Sequence, residues 1–328
     1  MKAVLMDQQG GADQLRLGEA PAPKLTDDEL LIRVKATALN RADIAQREGK
    51  YPPPPGASPL LGLEMAGVVE EVGANCSGWS KGDPVFGLLP GGGYAEYAVI
   101  PGDMAMPIPE GLSFEEAAAI AEVFLTAYQT LFWLGSLEKD QRVLIHAGAS
   151  GVGTAAIQLA KWAGARVFVT AGSEKKLDVC RKLGADHGIN YKEEAFDTEV
   201  KKATEGEGVD LILDFIGASY WEKNMASLGL DGTLVLISTL SGTRLDHFNL
   251  APFLAKRIQV IGTTLRSRSL SYKIRLSQDF SRNALPLFED GRLKPVVDRV
   301  FPMEEVQEAH RYMEANKNIG KIILRITP

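Results

Sequence analysis

The chain has 328 residues, is 45% hydrophobic and 24% charged, and carries 36 basic against 42 acidic side chains for a formal net charge of −6. That length accommodates two domains and a large core, and the interspersed charges offer no field for nucleic acid or an anionic membrane. Cys76 and Cys180 are far apart and in no Cys-x-x-Cys pair, so both read as idle thiols of a reducing compartment.

The N-terminus runs straight into a strand at 2–6, with neither a signal h-region nor a transit helix, and no apolar stretch reads as long enough to span a bilayer. A cytoplasmic protein with no membrane contact is expected. Further short strands at 29–36, 65–72, 84–87 and 95–100 are divided by turns rich in Gly, Pro, Asp and Asn, which suggests an antiparallel, partly barrel-like domain. Tyr51 begins the run Tyr-Pro-Pro-Pro-Pro-Gly, whose prolines donate no backbone hydrogen bonds and favour an exposed, stiff loop able to frame a cleft. Ser113 opens a capping-box-like Ser-Phe-Glu-Glu, and the helix it starts runs through 117–120 towards 122–134.

The most informative stretch is 142–164. Val143, Leu144 and Ile145 form a run too short for a helix, a cluster of Gly148, Ser150, Gly151 and Gly153 follows, and Val152, Ala156, Leu159 and Ala160 then recur at helical spacing. Strand, tight turn and helix are predicted. Glycines there let the backbone turn with positive φ and approach an anion, while the helix start offers unpaired N–H groups and the positive end of its dipole. A dinucleotide pyrophosphate fits. Ser150 stands where the G-x-G-x-x-G pattern, counted from Gly148 to Gly153, has its second glycine, and its hydroxyl adds a phosphate donor.

Apolar runs continue at 166–170, 185–190, 209–214, 233–237 and 258–261, with a helix at 174–183. Six such runs imply an α/β fold with a doubly wound parallel sheet covered on both faces. The second run ends in Thr170, Ala171, Gly172 and Ser173, followed by Lys175 and Lys176, where NAD-selective proteins place an acid for the ribose 2′-OH. Gly172 and Ser173 can donate to a 2′-phosphate and Lys176 can neutralise it, so NADPH is expected; the plainer alternative is a Ser N-cap with exposed lysines. Lys256, Arg257, Arg266 and Arg268 read as a solvated surface. A long helix at about 272–290 ended by Gly291, a strand at 295–301, a helix at 304–316 and a final strand at 321–326 lack a core of their own. They are expected to rejoin the first domain, giving domains 1–122 plus 268–328, and 123–267.

Several motifs carry a family resemblance as a set: Ala38-Leu-Asn-Arg-Ala-Asp43, Gly62-Leu-Glu64 with Ala66-Gly67, Lys81-Gly-Asp83, Gly148 to Gly153 with Gln158 and Lys161, Ala171 to Lys176, and Asn316 to Lys321. The chain resembles the zinc-free, zeta-crystallin-like quinone oxidoreductases of the medium-chain dehydrogenase/reductase superfamily. The resemblance implies a GroES-like β-rich catalytic domain, a Rossmann NADPH-binding domain inserted in it, and a quinone-like acceptor bound in the cleft between them. Zinc-dependent relatives place a Cys near 40–43 and a His in a Gly-His-Glu motif. Here Asn40 and Leu63 stand there, no closely spaced cysteines exist, and His146, His187, His247 and His310 are scattered, so no metal is expected.

The resemblance also assigns Tyr191 to the adenosine end of the cofactor, and Asn40, Thr126, Ile216, Gly217, the loop 238–242 with Ser238, Thr264 and Leu265 to the nicotinamide end, with Asn318 touching the cofactor. The glycine turn contributes Gly148, Ser150, Gly151, Val152 and Gly153. Tyr51 lies at the cleft mouth in the resembling proteins, where its hydroxyl serves the acceptor oxygen or the nicotinamide ribose; its alternative is packing against prolines. Asn40 and Ser150 are the other polar groups expected at the reaction centre. The edge strand 257–262, with the family resemblance, implies a homodimer. Two further functions remain open: 2-enoyl reduction, which Tyr51 keeps in play, and an NADPH-binding structural or regulatory role.

Overall fold

Alternation of side chains along a strand gives it one face for the core. A computed structural model describes residues 1–326. β1 (Lys2–Met6) pairs antiparallel with β2 (Leu15–Glu19), a strand absent from the sequence expectations. β3 (Glu29–Ala38) is the hub of a seven-stranded sheet and buries Leu30, Ile32, Val34 and Ala36 on one face. α1 (Arg41–Arg47) follows it directly. This helix also went unpredicted, because its buried face carries Asp43, Gln46 and Arg47 beside Ile44 and so shows little apolar periodicity. β4 (Glu64–Val72) pairs with β3, β5 (Pro84–Leu88) with β4, β6 (Tyr97–Pro101) with β3, and the short β7 (Met106–Pro107) with β5, all antiparallel.

Ser113 caps α2 (Phe114–Ala117): its Oγ accepts from the Glu116 N–H at 3.2 Å while the Glu116 carboxylate accepts from the Ser113 N–H at 2.9 Å. α3 (Ala121–Tyr128) passes into a π-helical stretch, Gln129–Leu134. The expectation that no segment is long and apolar enough to cross a membrane is corrected here, since Phe114–Leu134 meets both criteria; 78% of its most apolar window is buried inside the protein.

Residues Thr126–Leu265 form one compact unit, and Met1–Leu125 with the described residues from Arg266 onward another. In the first, β8 (Arg142–Ile145), α4 (Gly151–Trp162), β9 (Arg166–Ala171), α5 (Glu174–Lys182), β10 (His187–Asn190), α6 (Phe196–Ala203), β11 (Val209–Asp214), α7 (Trp221–Ser227), β12 (Leu228–Leu236), α8 (Ala251–Lys256) and β13 (Gln259–Gly262) alternate. All sheet pairs are parallel, in the order β10-β9-β8-β11-β12-β13. The order reverses between β8 and β11, and ligands of such sheets bind at the carboxyl ends beside that switch. Leu144, Phe168, Ile189, Phe196, Val200, Ile212 and Leu234 pack as one apolar core, which is why these strands read as continuous runs rather than alternating ones.

The return segment begins with α9 (Leu270–Asn283) and α10 (Pro286–Glu289). A single helix at 272–290 is therefore corrected to two, since Pro286 supplies no N–H and starts a new helix instead of continuing the old one. β14 (Val297–Pro302), α11 (Val306–Glu314) and β15 (Lys321–Arg325) follow, and β15 pairs antiparallel with β3. Phe288 and Phe280 of this segment lie 4.9 and 6.3 Å from Phe124, centroid to centroid.

Candidate active site

The turn from β8 to α4 is built for an anion. Ser150 is the N-cap: its Oγ accepts from the Gly153 N–H at 3.1 Å, and its own hydroxyl proton is not used in that bond. A Cβ on Gly153 would stand 2.4 Å from the Ala147 carbonyl oxygen, so only glycine allows the helix to start this close to the strand. The positive φ expected of a glycine here belongs to Ala147 instead, at 49°. Gly148, Gly151 and Val152 complete the turn.

Beside it, Ser173 is the N-cap residue of α5 and makes no side-chain capping bond, so its hydroxyl is not spent on the helix start. Glu174, the next residue, is engaged by Arg181 at 2.6 Å. Tyr191 is 44% exposed at the end of β10, and a Cβ on Gly172 would lie 2.7 Å from its hydroxyl oxygen, so Gly172, Ser173 and Tyr191 share one corner with Lys176 one turn into α5. Ile216 and Gly217 follow β11. Their N–H groups donate to the Asp214 carboxylate at 2.7 and 3.2 Å, and Gly217 has φ 87°, a conformation that disfavours any side chain. Ser238 follows β12, and Thr264 and Leu265 follow β13. The Oγ1 of buried Thr126 has no hydrogen-bond partner, an orphan that a ligand hydroxyl or amide would satisfy. This set fits a dinucleotide.

Behind the β8 turn, buried His146 sits between Thr170 Oγ1 at 3.0 Å and Asn224 Oδ1 at 2.7 Å, and Asn224 Nδ2 donates to Asp214 at 3.1 Å. Burial pushes the His146 pKa down to about 4, so the neutral ring donates from Nε2 to Asn224. That chain ties the glycine turn to the Gly217 loop.

In the other unit the polar centre is organised by α1. Asn40 is its N-cap residue, and the Asp43 carboxylate accepts from the Asn40 N–H at 2.8 Å and the Gly62 N–H at 3.1 Å. Glu64, fully buried, accepts from Asn40 Nδ2 and from the Glu122 N–H, both at 2.9 Å. The Lys321 ammonium, 3% exposed, completes the centre by donating to the Leu39 carbonyl at 2.8 Å, Asn40 Oδ1 at 2.6 Å and Glu64 at 2.8 Å. All three ammonium protons are used. Both Asn40 Nδ2 protons are also engaged, the second by Ala38 O at 3.3 Å, so Asn40 is a hub and not a free donor. Asn318, in the turn before β15, donates to Gly320 O at 2.8 Å.

These donors do not fit zinc. Asn40 and Leu63 offer neither thiolate nor imidazole, and an ammonium already neutralises the Glu64 carboxylate. Among the described residues no group of three or more His, Cys, Asp or Glu could hold a metal.

Tyr51 ends the segment after α1, its N–H bonded to Ala45 O at 3.2 Å. Burial raises its pKa, Arg266 opposes that, and the Glu122 charge reinforces it, which places both groups around the phenol. Arg266 lies over the Tyr51 ring, 5.3 Å from its centroid. The solvated surface expected of Arg266 is thereby corrected: it is 7% exposed. Lys256 likewise turns inward to cap α7, donating to the carbonyls of Met225 at 2.9 Å and Leu228 at 2.6 Å. Burial, reinforced by the carboxylates of Glu64 and Asp43 and opposed by Lys321, pushes the Glu122 carboxyl up to about 7. The Asp43 carboxyl rises by burial to about 6.

Glu64, Glu122, Lys321 and Arg266 were missed as site residues. For Glu64 and Lys321 the signal was a charge opening an otherwise apolar strand, Glu-Met-Ala-Gly-Val-Val and Lys-Ile-Ile-Leu.

Residues 26–110 match the alcohol dehydrogenase GroES-like domain and residues 151–289 the zinc-binding dehydrogenase domain. A human quinone oxidoreductase is 32% identical over 332 residues, spanning 99% of this chain and 97% of its own. The structure of an Escherichia coli quinone oxidoreductase complexed with NADPH superposes with a TM-score of 0.89 at 29% identity, over 99% of this chain and all of the other. CurK enoyl reductase superposes with a TM-score of 0.88 at 29% identity, over 99% of both.

Proposed function

The chain belongs to the quinone oxidoreductases of the medium-chain dehydrogenase/reductase superfamily, NAD(P)H-binding oxidoreductases with a GroES-like and a Rossmann-type domain, and on that premise we propose that it reduces quinones or similar electron-poor acceptors with NADPH, without a metal. The observation that carries the metal-free part is the Lys321 ammonium held by Glu64, Asn40 and Leu39. NADPH, when bound, supplies the reducing equivalents. In this reading the catalytic domain is 1–122 plus 268–328 and the NADPH-binding domain 123–267.

Ser150 and the N–H groups of Gly151 and Val152 hold the pyrophosphate at the start of α4, while Gly148 and Gly153, whose own N–H groups bond Thr170 O and Ser150 Oγ, let the backbone come close. Gly172, Ser173, Lys176 and Tyr191 hold the 2′-phosphate end, since Ser173 follows β9 where an acid would repel it and the adjoining Glu174 is engaged by Arg181. Thr126, Ile216, Gly217, Ser238, Thr264, Leu265, Asn40 and Asn318 serve the nicotinamide end. Tyr51 donates its hydroxyl to the acceptor or the nicotinamide ribose while its ring stacks on a planar substrate. Because a quinone is already a strong electrophile, Tyr51 assists without being indispensable. Removing one such donor costs roughly ten- to a thousand-fold when it matters. Tyr51→Phe should therefore lower kcat/KM for quinone by about ten-fold and change NADPH affinity little; unaltered turnover in Tyr51→Phe and Tyr51→Ala alike would reduce Tyr51 to a packing residue.

The protein is read as a cytoplasmic homodimer joined through β13, with no nucleic-acid or membrane partner. β13 is a sheet edge, and Leu240, Phe248, Leu250 and Leu254 in the segment before it are 52 to 85% exposed. The resemblance to CurK enoyl reductase keeps 2-enoyl reduction as a second reading. Steady-state rates with NADPH over quinones, enones and enoyl thioesters decide between them. Higher kcat/KM on quinones is expected, higher values on enoyl thioesters would favour the second reading, and tight NADPH binding with no turnover would point to a structural or regulatory role.

A further inference from the structure

We propose that Arg266 is the residue that receives the acceptor's oxygen, through the one guanidinium nitrogen the fold leaves without a partner. Its other two nitrogens are fixed: Nε donates to Pro90 O at 2.8 Å and Nη2 to Gln46 Oε1 at 2.8 Å. Its Cζ sits over the Tyr51 ring. Nη1, in a side chain 7% exposed, is buried and makes no hydrogen bond. Leaving a buried donor unsatisfied is costly, most of all for a charged group, so folded proteins keep few of them. Arg266 is instead clamped on three sides with this donor left over. Asn40 cannot play that part, because both its amide protons are used.

The ligand chemistry follows from the pairing of a cationic N–H with an aromatic face: a planar conjugated carbonyl compound. This inference rests on the proposed reduction of such acceptors. Hydride addition at a ring or β-carbon breaks the carbonyl π bond and moves its electron pair onto oxygen. Arg266 donates a charge-assisted hydrogen bond to that oxyanion and keeps its proton, being too basic to release it. One proton, drawn from solvent and resupplied by way of the Glu122 carboxyl, then gives the hydroquinone or enol, so the acceptor gains two electrons and two protons in all. The preorganised donor takes the place a Lewis acid holds in metal-dependent chemistry.

The test is an equilibrium titration of the full chain, in the presence of NADP⁺, with 2-hydroxy-1,4-naphthoquinone, a planar anion at neutral pH. It is run on wild type, Arg266→Gln and Arg266→Lys, beside kcat/KM for neutral 1,4-naphthoquinone. The expected result is anion binding by wild type that weakens about ten- to a hundred-fold in Arg266→Gln, with kcat/KM falling in step and NADPH affinity unchanged. Should Arg266→Gln fail to fold, Arg266→Lys decides: it keeps the charge but has no third arm, and weaker anion binding is expected. Unchanged anion affinity in a folded variant, no anion binding by wild type, or an equal loss of NADPH affinity would overturn the proposal; the first would mean that an ordered water satisfies Nη1. A wild type that binds the anion but reduces no quinone would refute the proposed function while leaving Arg266 in place.

Discussion

Lys321 and Glu64 illustrate how a buried charge is tolerated. The pair is almost wholly buried, and each partner is completed by further hydrogen bonds, Leu39 O and Asn40 on one side and the Glu122 N–H on the other. Lys321→Met removes the cation and leaves Glu64 uncompensated, a change that typically costs 3–5 kcal/mol. Denaturant unfolding should show a loss of about 3 kcal/mol or more, and a loss below about 1 kcal/mol would contradict the assigned network. Glu122 tests the chemistry. With its pKa raised to about 7 beside Tyr51, it is a protonated acid below that pH, able to resupply a proton. For wild type, kcat/KM should fall as pH rises through about 7, and Glu122→Gln should abolish that inflection. An unshifted profile in the variant would assign the inflection elsewhere.

At the scale of elements, the β8–α4 turn depends on close approach. Gly153→Ala would drive a methyl against the Ala147 carbonyl, so the turn must open, and NADPH affinity measured by fluorescence titration should fall at least about ten-fold. An unchanged dissociation constant would show that the turn does not hold the pyrophosphate. The same turn shows what the sequence revealed and what it hid. Strand, turn and helix were legible because burial on both sheet faces removes alternation and glycine marks the corner. The positive φ at Ala147 was not, since nothing local distinguishes that alanine. α1 was invisible for a related reason: its buried face is polar, and Asp43, Gln46 and Arg47 make sense only once the groups that satisfy them, brought in from Gly62, Arg266 and His310, are in place. Of the site, the glycine turn and the Ser173 corner could be read from local chemistry. The Glu64–Asn40–Lys321 centre could not, because its members are 281 residues apart at the extreme.

For the whole molecule, four titratable groups with shifted pKa values give stability a definite pH dependence. His146 and His310 are lowered from 6.5 to about 4 and about 3, so each contributes stability that is present above pH 6.5 and lost as pH falls through the folded value. Asp43 and Glu122 are raised from 3.8 to about 6 and from 4.5 to about 7, so each contributes stability present at low pH and lost as pH rises towards those values. Between the unfolded carboxyl values and about pH 6 the two pairs offset each other in protons bound. Glu122→Gln removes one side, so its Tm relative to wild type should rise with pH across that window. A pH-independent difference would contradict the assigned shift. Assembly is tested at the same scale: light scattering should give twice the chain mass of 35.5 kDa at micromolar concentration, and a monomeric mass would contradict pairing through β13.

The proposed NADPH-dependent reduction needs no metal. The most direct measurement is kcat/KM for NADPH and for NADH with one quinone, on chelator-treated protein whose zinc content has been determined by elemental analysis. The expected result is turnover at negligible zinc with a marked preference for NADPH that collapses in Lys176→Ala. Equal values for the two dinucleotides, or activity that tracks stoichiometric zinc, would contradict it.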